Sequence, residues 1–372
     1  MSEVRIVSIM PYTILPARLG GEKGIALFNE YVGKEFPITG ISTRANDVRA
    51  AKNYKVLNIL SDKRIRYFNI FLYFRIRKIL NVEKATHLLI EHPYFGWLAW
   101  MLKKTLPITW VVHSHNIEFE RSRSIGRWWW KALKWYETWV YKQSDIVFFI
   151  SDDDRQNAIE NLGIDSQKSF TITYGVEIAA IPTDISNCKK TIEQLHQIPS
   201  GDKILLFNGA LYHHSNYDAV KVITDIINPV LLTQSIPYKI IICGKGLPES
   251  FNELIEFSNK NIIYAGFVRD ISQYFKAADV FLNTVLTGGG IKTKAVEAIA
   301  YNCSVISTES GAIGLQKEVC GNKLSIAADN NWGSFTNHLL EILRENNTTP
   351  QAFYDYYYWG NIAKKVVAIL KK

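Results

Sequence analysis

The residues best suited to chemistry lie in ADVFLNTVLTGGGIKTKAVEAIAYNCSVISTESGAIG, residues 278–314. An apolar run ends near Val285, Gly288, Gly289 and Gly290 follow, and a helix is expected from about Ile291. Three glycines let the backbone approach a ligand closely. A helix N-terminus adds free N–H groups and a positive dipole end, which suit phosphate. Lys292 and Lys294 put two cations into the first turns of that helix. Cations there oppose the dipole, so the pair makes better sense with an anion held between them and the helix than as a surface feature. Glu297, three residues beyond Lys294, shares its helix face and is placed to pair with it.

Five of the eight histidines also fall at suggestive places: His92, His113, His115, His213 and His214. His113 and His115 alternate at the end of a strand. No Cys, Asp or Glu set beside them in sequence completes a metal site, so no metal is expected there and His113 reads as a packing residue. His115, followed by Asn116 and Glu118, reads as lining a crevice at the strand's carboxyl end. Ser151-Asp152-Asp153-Asp154 contains an Asp-x-Asp pattern. A serine after a strand with acids in the next turn is better read as a helix N-cap.

The elements that must hold these residues are legible as short runs rich in Val, Ile and Phe. Strands are expected at 4–10, 37–42, 54–60, 86–91, 108–113, 145–150 and 169–174. A second series is expected at 203–208, 238–243, 261–266, 279–285, 304–307 and 323–327. Helix-length segments separate most of them, including 216–233, 249–259, 291–301 and 332–345. Continuous apolar runs divided by helices indicate parallel strands buried on both faces. The fold class is therefore α/β, with two doubly wound Rossmann-like domains facing across a cleft. Ligands of such sheets bind beyond the carboxyl ends of the strands. The expected units are a first Rossmann-like domain at 1–185, a second at 186–350, and a C-terminal helix at 351–372 that packs back on the first.

With 372 residues, 47% hydrophobic and 21% charged, the composition is that of a folded protein and excludes a disordered or collagen-like chain. Cys188, Cys243, Cys303 and Cys320 show no C-x-x-C spacing, so neither a disulfide framework nor a zinc ribbon is indicated. The N-terminus lacks signal-peptide features and no apolar run reaches about 18 residues, so the cytoplasm is the expected compartment. The net charge is +8, most of it in the first half. A basic face attracts phosphate, whether of a nucleotide or of lipid. Two basic aromatic stretches stand out, 62–80 and 121–142, the second with Trp128, Trp129, Trp130, Trp135 and Trp139. Such a composition fits an interfacial helix on anionic lipid. The plainer reading is a core helix whose arginines reach outward.

Residues 278–314 resemble the nucleotide-sugar site of GT-B glycosyltransferases of family 4, also called glycosyltransferases group 1. The likeness runs through Ala278 to Leu282, the glycines at 288–290, Lys294 to Ala298, and Val305 to Leu315. Elsewhere PYTILPARLGGEKG (11–24), VVHSHNIEFERSR (111–123), TYGVE (173–177), FNGALYHHSNYDA (207–219) and CGKG (243–246) are similar to other family segments. The resemblance implies that Glu297 binds the ribose hydroxyls of a UDP-sugar or GDP-sugar. It implies that Lys292 and Lys294 face the diphosphate, and that His115 assists transfer near the sugar. Gly20, Gly21, Asn116, Gly209, Asn216, Gly244 and the glycines 288–290 would line the substrate site. No cofactor and no metal are implied.

Two departures accompany the likeness. Gly289 stands where the family often has a first glutamate, and Leu211 to Asn216 lack the family's Arg and Lys. The resemblance implies a transferase that moves a sugar to a glycan or lipid-linked acceptor with retention of configuration, in polysaccharide biosynthesis. An anionic membrane surface is a further partner and nucleic acid is not. The missing acid at Gly289 motivates the alternative, a catalytically silent nucleotide-binding partner protein of the same fold.

Overall fold

The computed structural model describes residues 3–287 and 289–372. The chain folds into two compact units. Residues up to Glu177, Gly289–Ile291 and Trp359–Lys372 make up the first, and Ile178 to Thr287 with Lys292–Tyr358 make up the second.

In the first unit seven strands run parallel: β1 (Ile6–Ile9), β2 (Ile38–Thr43), β3 (Lys55–Leu60), β4 (His87–Glu91), β5 (Thr109–Ser114), β6 (Ile146–Phe149) and β7 (Ser169–Thr171). Their order is β3-β2-β1-β4-β5-β6-β7, which changes direction between β1 and β4. The helices are α1 (Gly20–Val32), α2 (Leu72–Val82), α3 (Gly96–Thr105), α4 (Glu118–Ser124), α5 (Trp130–Gln143) and α6 (Asp152–Leu162).

Alternation along β5 separates the two faces of this sheet. Trp110 and Val112 enter the core built with α2, α3, α5 and α6. His113 faces the other way, its ring centroid 4.6 Å from that of Phe28 in α1. Ser151 does cap α6, accepting a hydrogen bond from the Asp154 N–H at 3.1 Å, as its position after β6 suggests.

The second unit holds β8 (Lys203–Asn208), β9 (Tyr238–Cys243), β10 (Ile262–Gly266), β11 (Val280–Asn283), β12 (Ser304–Thr308) and β13 (Leu324–Ala327). The order is β10-β9-β8-β11-β12-β13, again parallel and reversing between β8 and β11. Its helices are α7 (Ile185–Leu195), α8 (His214–Val222), α9 (Asn228–Leu231), α10 (Ile271–Ala277), α11 (Thr293–Ala300), α12 (Glu309–Ala312), α13 (Lys317–Cys320), α14 (Trp332–Arg344) and α15 (Gln351–Tyr357). The segment expected as one helix at 216–233 is α8 and α9 joined by a π turn at Ile223–Ile227. The one expected at 249–259 is a 3-10 run broken by positive φ at Asn252, Glu253 and Leu254.

Ile178 to Asp184 belong to the second unit, because α7 packs on α10 and Asp184 pairs with Lys276 at 2.7 Å. The chain beyond residue 350 is two helices and not one. Tyr358 takes an extended conformation after α15, which stays in the second unit through Tyr354 and Tyr357. The last helix, α16 (Trp359–Leu370), lies against α1 in the first, where Trp359 N–H donates to Val176 O at 2.9 Å.

Candidate functional site

In the first unit the functional side chains gather just past β1, β4 and β5, where the strand order reverses. The register pairs Glu91 at the end of β4 with His113 on β5. Glu91 Oε2 lies 2.9 Å from His113 Nδ1 and 2.7 Å from His115 Nε2, and all three residues are buried. Asn29 Nδ2 donates to the other Glu91 oxygen at 3.2 Å. Burial alone would raise the Glu91 pKa, but the charge and hydrogen bonds of His113 and His115 outweigh it and hold the carboxyl at about 2.

His115 is pushed down to about 3, chiefly by burial and then by His113, against the pull of Glu91. It is therefore neutral near pH 7. Its Nε2–H points at Glu91, which leaves Nδ1 as an acceptor. The backbone of α1 passes close by, since a Cβ on Gly24 would lie 3.8 Å from that Nδ1.

A second acid–imidazole pair stands beside the first. His92 has φ of +67°, uncommon for a residue with a Cβ. Its Nδ1 is 3.3 Å from Glu118 Oε1 and its Nε2 is 3.0 Å from the Tyr12 hydroxyl. The His92 and His115 ring centroids are 4.6 Å apart. Buried Glu137 of α5 fastens the turn that carries Glu118, accepting hydrogen bonds from the Glu118 and Phe119 N–H groups at 3.0 Å. Gly20 and Gly21 open α1, and a Cβ on Gly21 would lie 3.8 Å from the Tyr12 hydroxyl. Asn116 follows His115 at the end of β5. Gly289–Ile291 pack with this unit, and a Cβ on Gly290 (φ +69°) would come 2.1 Å from Asn116 Oδ1. Gly288 lies outside the described residues.

The expectation that no acid completes a set with His113 and His115 is corrected by Glu91. It comes from the neighbouring strand, so spacing within one segment does not show it. Glu91, His113 and His115 offer three ligand atoms within 4.8 Å of one another, a set able to bind a metal ion. Glu91 Oε2 stands at only 2.9 and 2.7 Å from the two ring nitrogens. A cation about 2.0–2.2 Å from each atom would have to spread them apart. His113 packs on Phe28 as expected and also serves Glu91.

In the second unit the corresponding place follows β8 and β9. A Cβ on Gly209 would meet Asn216 Cγ at 2.8 Å, and one on Gly244 (φ +150°) would meet Gly209 O at 2.0 Å. The two turns touch because residue 244 is a glycine, and Asn216 packs on the first turn because residue 209 is one. Asn216 of α8 is fixed by donation from Nδ2 to Ala210 O at 2.9 Å, and turns its Oδ1 toward α11.

That helix is anchored by buried Ala295, Val296, Ala298 and Ile299, which leaves Lys294 and Glu297 half-buried on its other edge. Lys294 Nζ donates to Asn208 O at 3.0 Å and to Asn216 Oδ1 at 2.9 Å, and lies 4.6 Å from the Phe207 ring centroid. Burial, followed by the charge of Lys292, pushes Lys294 down to about 7. Lys292, at the N-cap of α11, is pushed down by burial to about 8. Lysines shifted in this way gain most from an arriving anion.

The second unit thus brings Gly209, Gly244, Asn216 and Lys294 into one cluster at the switch point, with Lys292 and Glu297 on the same helix. His213 and His214 sit at the start of α8, with His213 as its N-cap residue. Nothing in the residue pattern points to the Asn208 carbonyl or to Phe207 as partners of Lys294. Tyr12, Glu91 and Glu137 are likewise unmarked by local spacing. An acid directly after an apolar strand run, as Glu91 follows Leu88, Leu89 and Ile90, is the signal that would have found it.

Among solved structures the chain is similar to a glycosyltransferase from Rickettsia africae, at 14% identity and TM-score 0.73, with 100% of this chain and 98% of that one covered. It is similar to the sucrose-phosphate synthase of Thermosynechococcus elongatus at 12% identity and TM-score 0.74, covering 99% and 98%. Anabaena HepE in complex with UDP and glucose aligns at 12% identity and TM-score 0.70, covering 99% and 100%. These likenesses show the GT-B fold. No curated protein sequence matches. Residues 33–180 match the family model for Glycosyltransferase Family 4, and residues 202–345 match that for Glycosyl transferases group 1. With each unit carrying one of these matches, the chain belongs to the GT-B glycosyltransferases of family 4 and group 1.

Proposed function

We propose that the protein transfers a sugar from a nucleotide diphosphate sugar to a glycan or lipid-linked acceptor, with retention of anomeric configuration. The observation that carries this reading is Lys294, a half-buried ammonium held by two neutral oxygens at the start of a helix. The chemical demand of the reaction is charge developing on the leaving diphosphate. Lys294, Lys292 and the α11 N-terminus meet that demand with fixed electrostatics. Glu297, on the same helix edge as Lys294, takes the ribose hydroxyls. In the first unit neutral His115, oriented by Glu91, offers Nδ1 as an acceptor for a sugar or acceptor hydroxyl.

A uridine donor is the first choice, because HepE is described with UDP and with UDP-glucose and a trehalose-6-phosphate enzyme with UDP-2-fluoro glucose. A glycan acceptor accords with two relatives described in lipopolysaccharide synthesis. The test is a thermal-shift screen of nucleotide sugars, since a ligand that binds only the folded state raises the melting temperature. Release of nucleotide diphosphate from the best donor, in excess chelator, then follows. Stabilisation without release across acceptors would favour the silent-partner reading. Loss of release on chelation would turn attention to Glu91, His113 and His115 as a metal site.

A further inference from the structure

Helices α2, α3 and α5 pack on one face of the first unit's sheet, with α3 touching both others. Leu72, Ile76 and Leu80 of α2 enter the core, as a helical period requires. The opposite side of such a helix is ordinarily polar. Here Phe71 and Phe74 are 72% and 66% exposed, and Phe68 just before the helix is 80% exposed. A core helix with outward arginines does not account for three outward phenylalanines. Just before α5 Trp128 is 89% exposed, and within α5 Trp135 is 72% exposed. Trp130 and Trp139 instead pack against the core.

The charges that these three helices expose all have one sign. Helix α2 carries Arg75, Arg77 and Lys78, all exposed, and no acid. Helix α3 has no acid either and exposes Lys104, while the neighbouring Lys103 is half-buried and paired with Asp145. The one acid of α5 is Glu137, buried against the N–H groups of Glu118 and Phe119. Arg66 is spent inside, donating to Pro11 O at 2.6 Å and Asp62 O at 2.7 Å, and does not belong to the surface.

Exposed rings interleaved with exposed cations match the boundary layer of an anionic bilayer, where aromatic rings settle at headgroup depth and cations meet phosphates. We propose that this face of the first unit docks on an anionic phospholipid surface, with Phe68, Phe71 and Phe74 entering the headgroup layer and Arg75, Arg77 and Lys78 meeting phosphates. Docking of this kind presents the enzyme to lipid-linked acceptors and does not depend on which donor it uses.

The test is co-sedimentation of the full chain with phosphatidylcholine vesicles, with and without phosphatidylglycerol. Binding is expected only with phosphatidylglycerol and should weaken as sodium chloride rises. Arg75→Glu with Arg77→Glu, and separately Phe71→Ser with Phe74→Ser, should each lower partitioning at least about tenfold. Both should leave the circular dichroism spectrum and the donor-induced thermal shift intact. Equal binding to both vesicle types, or wild-type partitioning by both variants, would overturn the proposal. So would a wild-type dimer in light scattering that either variant dissociates, because the face would then belong to a second copy of the chain.

Discussion

Binding of a sugar nucleotide should draw protons from solution at alkaline pH, and Lys294→Met should remove most of that uptake. Lys294 rests at about 7 and Lys292 at about 8. A diphosphate beside them returns each toward the ordinary value of about 10.4. At pH 8 Lys294 then takes up about 0.9 of a proton and Lys292 about 0.5, while near pH 6 both are already charged and uptake is close to zero. Affinity follows the same sign. Both pKa values rise on binding, so binding is strongest below the free-state values and weakens as pH climbs through them.

Between pH 7 and pH 9 the Lys294 contribution falls roughly fifty-fold, about 2.3 kcal/mol, and that of Lys292 roughly tenfold. The assay is titration calorimetry at pH 8 in two buffers of different ionisation enthalpy. It should use a sugar nucleotide, because the terminal phosphate of free UDP itself titrates near pH 6, roughly. Methionine keeps much of the lysine stem, so Asn208 and Asn216 lose a donor without a large cavity. Uptake near zero in the wild type at pH 8, or the same uptake in Lys294→Met, would refute the placement of the diphosphate at these lysines.

Glu91→Gln keeps the shape of the first-unit cluster but takes the charge from the acceptor of His115 Nε2–H. Turnover should fall roughly ten- to a hundredfold with KM little changed, a split that steady-state kinetics reads directly. Glu297→Ala should weaken donor binding by about 1.5–3 kcal/mol, the usual worth of a hydrogen bond to a charged group, with the melting temperature held. Gly209→Ala, whose Cβ would meet the Asn216 side chain at 2.8 Å and displace it from Ala210 and Lys294, should fold and lose donor affinity. Gly244→Ala, whose Cβ would stand 2.0 Å from the Gly209 carbonyl oxygen, should lose several kcal/mol in chemical denaturation, in the range of steric strain at a special backbone position.

Among the described residues all thirteen strands stand where their apolar runs indicate, because a parallel strand buried on both faces needs an unbroken stretch of Val, Ile, Leu or Phe. The second-unit cluster was nearly as legible, since Gly209, Asn216, Gly244 and Lys294 each belong to a recognisable local pattern. What sequence could not reveal depends on pairing between segments. Glu91 meets His113 through strand register, and Lys294 turns to Asn208 and Asn216 although Glu297 shares its helix edge. The segment 62–80 shows the same limit. Composition does not say which side of α2 faces inward, so buried Arg66 and exposed Phe71 look alike until the sheet supplies a core.

Two lysines of the second unit show why the half-buried ammonium of Lys294 points to a ligand. Lys189 Nζ lies 2.8 Å from Asp279 Oδ2, and Asp279 also accepts from the Ile204 N–H at 2.8 Å. That lysine has a carboxylate and ties α7 to the sheet, so its charge is balanced within the fold. Lys294 is held by a carbonyl and an amide oxygen, with a second lysine as the nearest charge that acts on its pKa. An arrangement of that kind lowers stability, and the loss grows as pH falls from the unfolded value of about 10.4 to about 7, below which it is constant. A purely structural role would be served as well by a neutral residue of similar volume, which would avoid the penalty. The penalty is recovered when an anion arrives to share the site. On that argument the cost of Lys294 in the empty protein and its contribution to donor binding are two readings of one interaction.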